Sequence, residues 1–287
     1  MVTECAATRQ MVRRFVAGDT LDQAVEAVRH LNRRGMAATL DCLGEAVTSA
    51  GEAERARDSY LEAIEVIWRQ GLGANVSLKL TQLGLDIDER LCERNLRSIV
   101  ERASASGGFV RVDMEGAAYT DRTLALVRRL RAAYPRSIGP VIQAYLYRSR
   151  DDIAQLAAEG AGIRLCKGAY REPKTVAFPK KRDVDANYVR LTQDLLKSGI
   201  YHGIATHDPV MINAVLDFCR QNKISRDAFE FQMLYGIRPD LQQILVSHGW
   251  RLRLYVPYGR AWFPYFMRRL AERPANLWFL LKNIFRR

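Results

Sequence analysis

Cysteine is sparse in this sequence, and its distribution excludes several kinds of protein. The five cysteines are scattered over 287 residues without a C-x-x-C pair. We therefore expect neither a disulfide framework nor a zinc site, and a reducing cytoplasm fits best. No stretch approaches the ~18 apolar residues that a transmembrane helix needs. The first residues also lack the basic and then apolar pattern of a signal peptide. Together these absences predict a cytoplasmic protein without a membrane span.

Nucleotide-binding and metal-binding motifs are missing as well. The sequence has no G-x-G-x-x-G, P-loop, nucleophile elbow or H-E-x-x-H, so a Rossmann domain is not supported. His207, the histidine best placed for a site, has no second imidazole or carboxylate at ligand spacing, and we expect no metal. Acidic residues are outnumbered by basic ones, which gives a net charge of +12. This charge favours anionic partners such as a carboxylate substrate, a phosphate group, nucleic acid or an acidic membrane surface, without choosing among them.

What the chain does contain is a regular alternation of short apolar strands and amphipathic helices. The predicted strands cover residues 37–43, 75–80, 109–115, 141–146, 162–166, 200–206, 228–234 and 251–256. Roughly eight β-α units in this length predict a TIM-type (β/α)8 barrel of the α/β class. Residues 1–36 are predicted to form an N-terminal helical extension, and residues 37–287 the catalytic barrel. The loop 171–183, rich in proline and basic residues, is predicted to be an exposed excursion.

The most informative stretch runs from Gly162 to Pro173. Alternation places Arg164 and Cys166 on one face of a buried strand, and Gly168 ends the strand where a backbone can approach a ligand closely. A small-residue turn between cations is suited to hold a phosphate group or the edge of a flavin. Simple chain reversal is the alternative reading of this glycine.

Polar side chains recur at the carboxyl ends of the predicted strands, which converge on one mouth in a barrel. They are Lys79, Asp113, Gln143, Arg164, Lys167, His207 and Tyr255. Any one could be a structural group, but the whole set predicts a site. We expect His207 to hydrogen-bond a ligand. In residues 109–115, Arg111, Asp113 and Glu115 share one face, which suits an interior that tolerates charge only near its mouth.

The last predicted helix carries two adjacent arginines. Tyr265, Arg268, Arg269 and Glu272 follow i, i+3, i+4 and i+7 spacing and therefore share one face. Two guanidiniums suit a carboxylate, because planar bidentate pairing gives both affinity and orientation. The alternative is a solvated basic face with an Arg–Glu pair.

These stretches resemble the flavin-dependent proline dehydrogenases. The matching segments are Leu40-Asp-Cys-Leu-Gly-Glu45, Ser77-Leu-Lys-Leu80, Val112-Asp-Met-Glu115, Arg164-Leu-Cys-Lys-Gly-Ala-Tyr170, Thr206-His207, Glu230-Phe-Gln-Met-Leu234, Tyr255-Val-Pro257 and Tyr265-Phe-Met-Arg-Arg-Leu-Ala-Glu272. The length is similar to that of the single-function bacterial form, without the aldehyde dehydrogenase and DNA-binding modules of the fused relatives. The connection from Tyr255 to Tyr265 is shorter than in those relatives, and the loop 171–183 matches poorly.

The resemblance implies a site for L-proline and FAD. We expect the FAD to be noncovalent, because no cysteine or histidine is placed to bond its ring. The residues expected around the substrate are Lys79, Asp113, Tyr255, Tyr265, Arg268 and Arg269. Those expected to contact FAD are Met114, Gln143, Arg164, Lys167, Gly168, Ala169, Thr206 and His207. Arg164 would stabilise the reduced flavin, and Asp113 would either take the amine proton or anchor Lys79 and the flavin wall. Glu45 and Arg268 would form a gate, unless they make only a surface ion pair.

The implied reaction is oxidation of L-proline to 1-pyrroline-5-carboxylate, the first step of proline catabolism to glutamate. Electrons would pass to a membrane quinone, and a separate pyrroline-5-carboxylate dehydrogenase would act downstream. The apolar segment 276–287, which ends in cations, would either contact the membrane surface from the cytoplasm or pack on the barrel as its last helix.

Two other functions remain open from the sequence. A Schiff-base aldolase on the same barrel would use Lys79 or Lys167 as nucleophile. A nucleic-acid-binding protein would use the basic run 180–182, although aromatic residues are not interleaved with it. Only a bound flavin would colour the purified protein, and we expect no nucleic acid partner.

Overall fold

Eight parallel strands close into a barrel in chain order, each paired with its sequence neighbours and β8 paired with β1. The computed structural model describes residues 14–44 and 47–263, together with residues 265 and 267. The strands are β1 (Ala37–Cys42), β2 (Ala74–Leu78), β3 (Val110–Val112), β4 (Ile138–Gln143), β5 (Arg164–Cys166), β6 (His202–Ala205), β7 (Phe229–Leu234) and β8 (Leu252–Tyr258). The predicted TIM-type (β/α)8 fold is confirmed.

Helices surround the barrel. They are α1 (Leu21–Arg33), α2 (Ala50–Arg69), α3 (Glu89–Ala105), α4 (Thr120–Ala133), α5 (Ser149–Ala158), α6 (Lys181–Lys197), α7 (Pro209–Asn222) and α8 (Pro239–Ser247), with short 3₁₀ turns at Thr81–Leu83 and Ala117–Tyr119. Apolar side chains on the outward face of the strands pack against these helices and form the core. Among the described residues, no helix combines the length and the apolar character that crossing a membrane requires.

The helix α1 begins later than the sequence suggests. A capping box between Thr20 and Gln23 starts it at Leu21, so residues 14–20, which were predicted to be helical, are not. The helix packs against β1 and β8 and covers the seam where the barrel closes. The division of the chain at residue 36 stays a prediction.

Two other helices begin in different ways. Asp88 caps α3, since its Oδ1 accepts the Leu91 N–H at 3.0 Å. Thr120 belongs to a residue type that often caps helices, but it does not cap α4. The 3₁₀ turn runs directly into the helix, so Tyr119 takes the cap position. The buried Thr120 hydroxyl has no hydrogen-bond partner in the described part of the chain.

Charged groups extend to the base of the barrel, so the prediction that the interior tolerates charge only near its mouth is wrong. The Arg111 guanidinium donates to the carbonyls of Pro140 at 3.1 Å and Gly162 at 2.6 Å. Burial lowers the pKa of Arg111 to about 9. Beside it, Arg253 Nε lies 2.6 Å from Glu230 Oε1. Buried charge is tolerated here because each group is hydrogen-bonded or paired.

The strand β3 ends at Val112, earlier than predicted. Glu115 does not continue the inward face of the strand. Its carboxylate instead accepts the Thr81 N–H at 3.1 Å and the Thr81 hydroxyl at 2.7 Å. Burial raises the pKa of Glu115. This contact joins the β2–α3 and β3–α4 connections at the mouth.

The loop 171–183 is exposed over most of its length, as predicted, and it is also bonded to neighbouring connections. Leu146 and Ala177 form an antiparallel bridge, and Phe178 N–H donates to the Tyr145 carbonyl at 2.8 Å. Glu172 Oε1 accepts the Ala117 N–H at 2.7 Å. The loop is therefore fixed to the connections that follow β3 and β4, and α6 begins at Lys181.

His202, at the start of β6, gives the fold a pH-dependent stability. Burial and the nearby Arg111 charge lower its pKa from 6.5 to about 4. The neutral ring accepts the Ile163 N–H through Nδ1 at 3.1 Å, and Nε2 lies 2.9 Å from Ser198 Oγ. The unfolded chain binds this proton more readily, so stability falls as the pH drops from about 6.5 toward about 4.

We expect the wild type to lose about 2 kcal/mol more unfolding free energy than His202→Gln between about pH 7 and about pH 5. Glutamine can still accept from Ile163 and donate to Ser198, but it does not titrate. Urea unfolding of both proteins at the two pH values measures this difference in unfolding free energy. Carboxylates contribute equally in both proteins, so their contribution cancels in the comparison. Equal losses in the two proteins would contradict the prediction.

Candidate active site

Asp113, which follows β3, lies at the centre of a hydrogen-bonded cluster in the barrel mouth. Its Oδ1 accepts from Ser77 Oγ at 2.7 Å and from Arg164 Nη1 at 2.8 Å. Its Oδ2 accepts from the Tyr255 hydroxyl at 2.8 Å. Three other strands thus supply donors to one carboxylate. The structure brings together Asp113, Arg164 and Tyr255, which the sequence placed at separate strand ends.

Two of these residues were predicted at strand ends but lie inside their strands. Arg164 is the first residue of β5, and Tyr255 lies in the middle of β8 because that strand continues to Tyr258. Both reach the cluster through long side chains. The Arg164 Cζ atom lies 5.4 Å from the centre of the Tyr255 ring, a cation–π distance.

Lys79, which follows β2, lies between two carboxylates. Its Nζ is 3.5 Å from Asp41 Oδ2 and 3.9 Å from Asp113 Oδ2. Burial acts to lower the pKa of Lys79, but the two carboxylates outweigh it and the pKa lies above its ordinary value. The ammonium is therefore charged at neutral pH and suited to a substrate carboxylate. A Schiff-base nucleophile needs the opposite shift, so Lys79 does not favour an aldolase.

Tyr255 keeps its proton. Burial, reinforced by the Asp113 charge, raises the pKa of Tyr255 well above its ordinary value. The hydroxyl is therefore protonated at neutral pH and is the donor in its hydrogen bond to Asp113.

Asp41 and Ser77 belong to the site although the sequence did not single them out. Asp41 is only 1% exposed and its Oδ1 accepts from the Tyr60 hydroxyl at 3.3 Å. It is the one charged residue in the predicted first strand, a signal that could have identified it. Ser77 precedes Lys79 by two positions and thus shares its inward face.

Gln143, the last residue of β4, presents an acceptor without a donor. Its Nε2 donates to the carbonyls of Met114 and Glu115, each at 2.9 Å. Its buried Oε1 has no hydrogen-bond partner among the described residues. The Met114 side chain packs in the apolar core, so its described polar contact to Gln143 is through its backbone. A buried acceptor of this kind is suited to receive an N–H group from a ligand.

Lys167 is held at the rim by two carboxylates. Its Nζ lies 2.5 Å from Asp185 Oδ1 and 2.9 Å from Asp208 Oδ2. Burial acts to raise the pKa of both acids, but the Lys167 ammonium outweighs it and holds each pKa below its ordinary value. Both acids are thus ionised at neutral pH, and Lys167 is oriented before any ligand arrives.

The turn after β5 requires its glycine. Gly168 has φ +108°, and an added Cβ would lie 2.2 Å from Cδ1 of Tyr145. The backbone of this turn is bonded to the end of β4, since Tyr145 N–H donates to the Lys167 carbonyl at 2.9 Å. Ala169 follows and is exposed. The close approach of the Tyr145 ring, in addition to chain reversal, explains the glycine.

His207 makes a backbone contact, and its expected hydrogen bond to a ligand stays a prediction. Its Nε2 accepts the Leu234 N–H at 2.7 Å, which ties the end of β6 to the end of β7. Thr206, which is buried, accepts the Asp208 N–H through Oγ1 at 3.1 Å. The His207 Nε2 atom is therefore committed to the fold.

The rim after β8 is described only in part. Tyr265 is buried against Phe15, Val16, Leu43 and Ile237. The arginine pair, the gate and the C-terminal segment involve Glu45, Arg268, Arg269, Glu272 and residues 276–287, which lie outside the described residues, so these predictions remain untested. Within the described ranges, no group of three or more His, Cys, Asp or Glu side chains is placed to hold a metal ion.

The fold and this cluster define a (β/α)8-barrel enzyme with a buried ionic site at the carboxyl ends of its strands. The family model for proline dehydrogenase matches residues 24–282. Proline dehydrogenase 1 of Bacillus subtilis is 45% identical over 280 residues, covering 98% of this chain and 92% of that protein. Proline dehydrogenase of Deinococcus radiodurans is 44% identical over 278 residues, covering 96% and 90%. The chain belongs to the proline dehydrogenase family and is an oxidoreductase of proline catabolism.

A solved structure is similar over the barrel. Proline utilization A from Bdellovibrio bacteriovorus, inactivated by N-propargylglycine, superimposes with a TM-score of 0.86 at 27% identity. The match covers 91% of this chain and 32% of that protein. This chain is therefore similar to one part of a much longer protein, while it is similar to the Bacillus and Deinococcus proteins over nearly their whole length.

Proposed function

We propose that the enzyme oxidises L-proline to 1-pyrroline-5-carboxylate with FAD bound noncovalently in the barrel mouth, and that the electrons pass to a membrane quinone. The observation that carries this proposal is the Asp113 cluster, which places a fixed guanidinium, a neutral phenol and a charged lysine at one barrel mouth. Family membership supports proline as the substrate.

The residues around β4 and β5 fit FAD. The buried Gln143 Oε1 needs a donor, and an isoalloxazine carries an N–H on its pyrimidine edge. Arg164 Nη2 has no partner within the described chain, whereas its Nε and Nη1 are bonded. Lys167, Gly168, Ala169, Thr206 and His207 would complete the surroundings of the cofactor. When bound, FAD would supply the acceptor for the hydride that leaves C5 of proline.

The substrate would lie between Lys79 and the aromatic residues of the rim. The Lys79 ammonium is suited to the proline carboxylate, and Arg268 and Arg269 would complete the anion site. Tyr255 and Tyr265 would border the ring of the substrate. This arrangement would fix C5 relative to the cofactor and leave the amine nitrogen to release its proton.

Asp113 is better suited to anchor the site than to act as its base. Both of its oxygens already accept hydrogen bonds, from Ser77, Arg164 and Tyr255. Oxidation removes a hydride from C5 and a proton from the nitrogen as the C=N bond forms. We infer that proline binds as the neutral amine or loses its proton to solvent, while Asp113 holds Arg164 and Lys79 in place.

Arg164 would stabilise the negative charge that two-electron reduction brings to the cofactor. Its guanidinium is buried and held at two positions, so little reorganisation is needed when that charge develops. The same positive charge would favour electron acceptance from proline. Of the two catalytic residues, Arg164 would therefore stabilise the developing negative charge, and Asp113 would hold Arg164 in place.

Reoxidation by a membrane quinone would bring the enzyme to the inner face of the membrane. We propose peripheral, transient contact from the cytoplasm, made by residues 276–287. The product would be taken up by a separate 1-pyrroline-5-carboxylate dehydrogenase. The net charge of +12 is favourable for an anionic membrane surface.

The purified enzyme should release all of its flavin on acid precipitation. Burial raises the pKa of Cys166, the thiol nearest the cofactor turn, to about 12, so that thiol is poorly suited to bond the flavin ring. We expect the supernatant to contain FAD and the pellet to be colourless, and the native enzyme to reduce a soluble dye only when proline is added. Colour that stays in the pellet would refute noncovalent binding, and the absence of proline-dependent dye reduction would refute the function.

A further inference from the structure

Gln232, on β7, lies between the catalytic guanidinium and the base of the barrel. It is 6% exposed, and its Oε1 accepts from Arg164 Nε at 2.5 Å. Its Nε2 donates to Glu230 Oε1 at 2.6 Å. One buried amide thus connects Arg164 to a second buried ion pair, and it is not among the residues expected to contact substrate or cofactor.

Glu230 determines which way this amide points. Its Oε1 accepts from Arg253 Nε at 2.6 Å and its Oε2 from the Tyr201 hydroxyl at 3.1 Å. Burial acts to raise the pKa of Glu230, but the Arg253 charge outweighs it and keeps the pKa below its ordinary value. An ionised carboxylate can only accept hydrogen bonds. The Gln232 amino group must therefore face Glu230, and its carbonyl must face Arg164.

The neighbouring strand leaves room for this amide. A Cβ added to Gly203 on β6 would lie 2.3 Å from Gln232 Nε2. Gly203 is not among the glycines with positive φ, so its backbone conformation does not require glycine. The space that Gln232 occupies is therefore the structural reason for glycine at this position.

We propose that Gln232 is a positioning residue that orients the Arg164 guanidinium toward the cofactor, an inference that rests on the proposed function. Gln232 fixes Nε, while Asp113 and Ser77 fix Nη1. Together these bonds set the plane of the guanidinium and leave Nη2 as its remaining donor. Without Gln232, Arg164 can rotate about its bond to Asp113, and its charge no longer has a fixed position.

Gln232→Met tests the proposal by removing the acceptor while keeping the length of the side chain. We expect kcat to fall about 10- to 100-fold with little change in KM for proline, because the guanidinium is misplaced but Lys79 is untouched. The reduction potential of bound FAD, measured by equilibration with a reference dye, should become more negative because the reduced form loses a fixed positive charge. A purely structural role would leave this potential unchanged.

Gly203→Ala and Gln242→Met complete the experiment. Gly203→Ala displaces the Gln232 side chain without changing its chemistry, so the reduction potential of FAD in this variant should shift in the same direction. If Gln232→Met does not fold, Gly203→Ala provides the test. Gln242 is another buried glutamine, whose Nε2 donates to the carbonyls of Leu234 at 3.3 Å and Ile237 at 2.8 Å. It does not contact Arg164, so Gln242→Met should keep the wild-type potential and kcat.

An unchanged potential and unchanged kcat in the folded Gln232 and Gly203 variants would overturn the role of Gln232. This outcome is distinct from failure of the proposed function. In that case the wild type itself would bind no FAD or would not be reduced by proline.

Discussion

An Asp113→Asn enzyme is expected to retain FAD but to oxidise proline about 100-fold more slowly than the wild type. The asparagine has nearly the same shape, but its amide nitrogen cannot accept the hydrogen bond from Tyr255 that Asp113 Oδ2 accepts at 2.8 Å. Arg164 and Lys79 also lose a counter-charge inside the barrel. Loss of one partner of a buried ion pair costs about 3–5 kcal/mol, distributed here between stability and transition-state binding.

Dye-linked kinetics, normalised to the FAD content of each preparation, measure this effect. Asp227→Asn is the matched control, because Asp227 pairs with Arg251 at the same 2.8 Å separation as Asp113 and Arg164 but on the surface. An exposed pair contributes only about 0–1 kcal/mol, so this control should retain wild-type activity and stability. If Asp113→Asn stays within about twofold of the wild type, Asp113 does not anchor the site.

The second large effect is expected at the turn after β5, where Gly168→Ala should abolish stable FAD binding. The added Cβ would overlap the Tyr145 ring, with 2.2 Å to Cδ1, and the residue must also keep φ +108°. The left-handed region alone costs about 1–2 kcal/mol for a residue with a Cβ. The overlap adds a shift of either the ring or the turn that carries Lys167 and Ala169.

Gly160→Ala separates these two contributions. Gly160 also has a positive φ of +72°, but nothing lies within 4 Å of an added Cβ, so this variant carries the backbone strain without the overlap. FAD content per protein, from the absorbance ratio of the purified samples, and thermal unfolding measure both variants. We expect Gly160→Ala to bind FAD fully. Stoichiometric FAD in Gly168→Ala, with wild-type thermal stability, would contradict the role of the turn.

The barrel could be predicted because its signals are local. Alternating apolar strands and amphipathic helices need no knowledge of distant partners, and parallel strands in a barrel bring their carboxyl ends to one mouth. Lys79, Asp113 and Gln143 were found in this way. The sequence also indicated which face of a strand each side chain occupies, because side chains alternate along a strand. This alternation places Ser77 on the same face as Lys79, and Arg111 on the same face as Asp113.

What the sequence could not provide were contacts between distant residues. At the base of the barrel, Glu230 pairs with Arg253, and Arg111 from a third strand lies close enough for both charges to affect its pKa. The residue pattern of one strand does not show whether a neighbouring strand places an opposite charge beside it. Charged groups were therefore expected only at the mouth of the barrel. The sequence also did not predict that His207 accepts the Leu234 N–H, because this contact depends on how β6 and β7 pack.

Short-range errors had a different cause. Thr120 is a good capping residue by type, but the 3₁₀ turn Ala117–Tyr119 leads directly into α4 and leaves no extended residue for it to occupy. The loop 171–183 is exposed over most of its length, as its composition predicted, but the composition did not indicate that Glu172 and Ala177 fix it to neighbouring connections. Composition indicates that a segment faces solvent, but it does not show which backbone groups of that segment bond to neighbouring segments.

Anaerobic addition of L-proline to the purified yellow protein tests the central claim most directly. If this barrel mouth oxidises proline through bound FAD, stoichiometric L-proline should bleach the visible flavin absorbance and yield an equal amount of 1-pyrroline-5-carboxylate, and D-proline should not. Asp113→Asn should bleach about 100-fold more slowly with the same final amplitude. A flavin spectrum that L-proline leaves unchanged, or a purified protein that is colourless even after incubation with FAD, would contradict the claim.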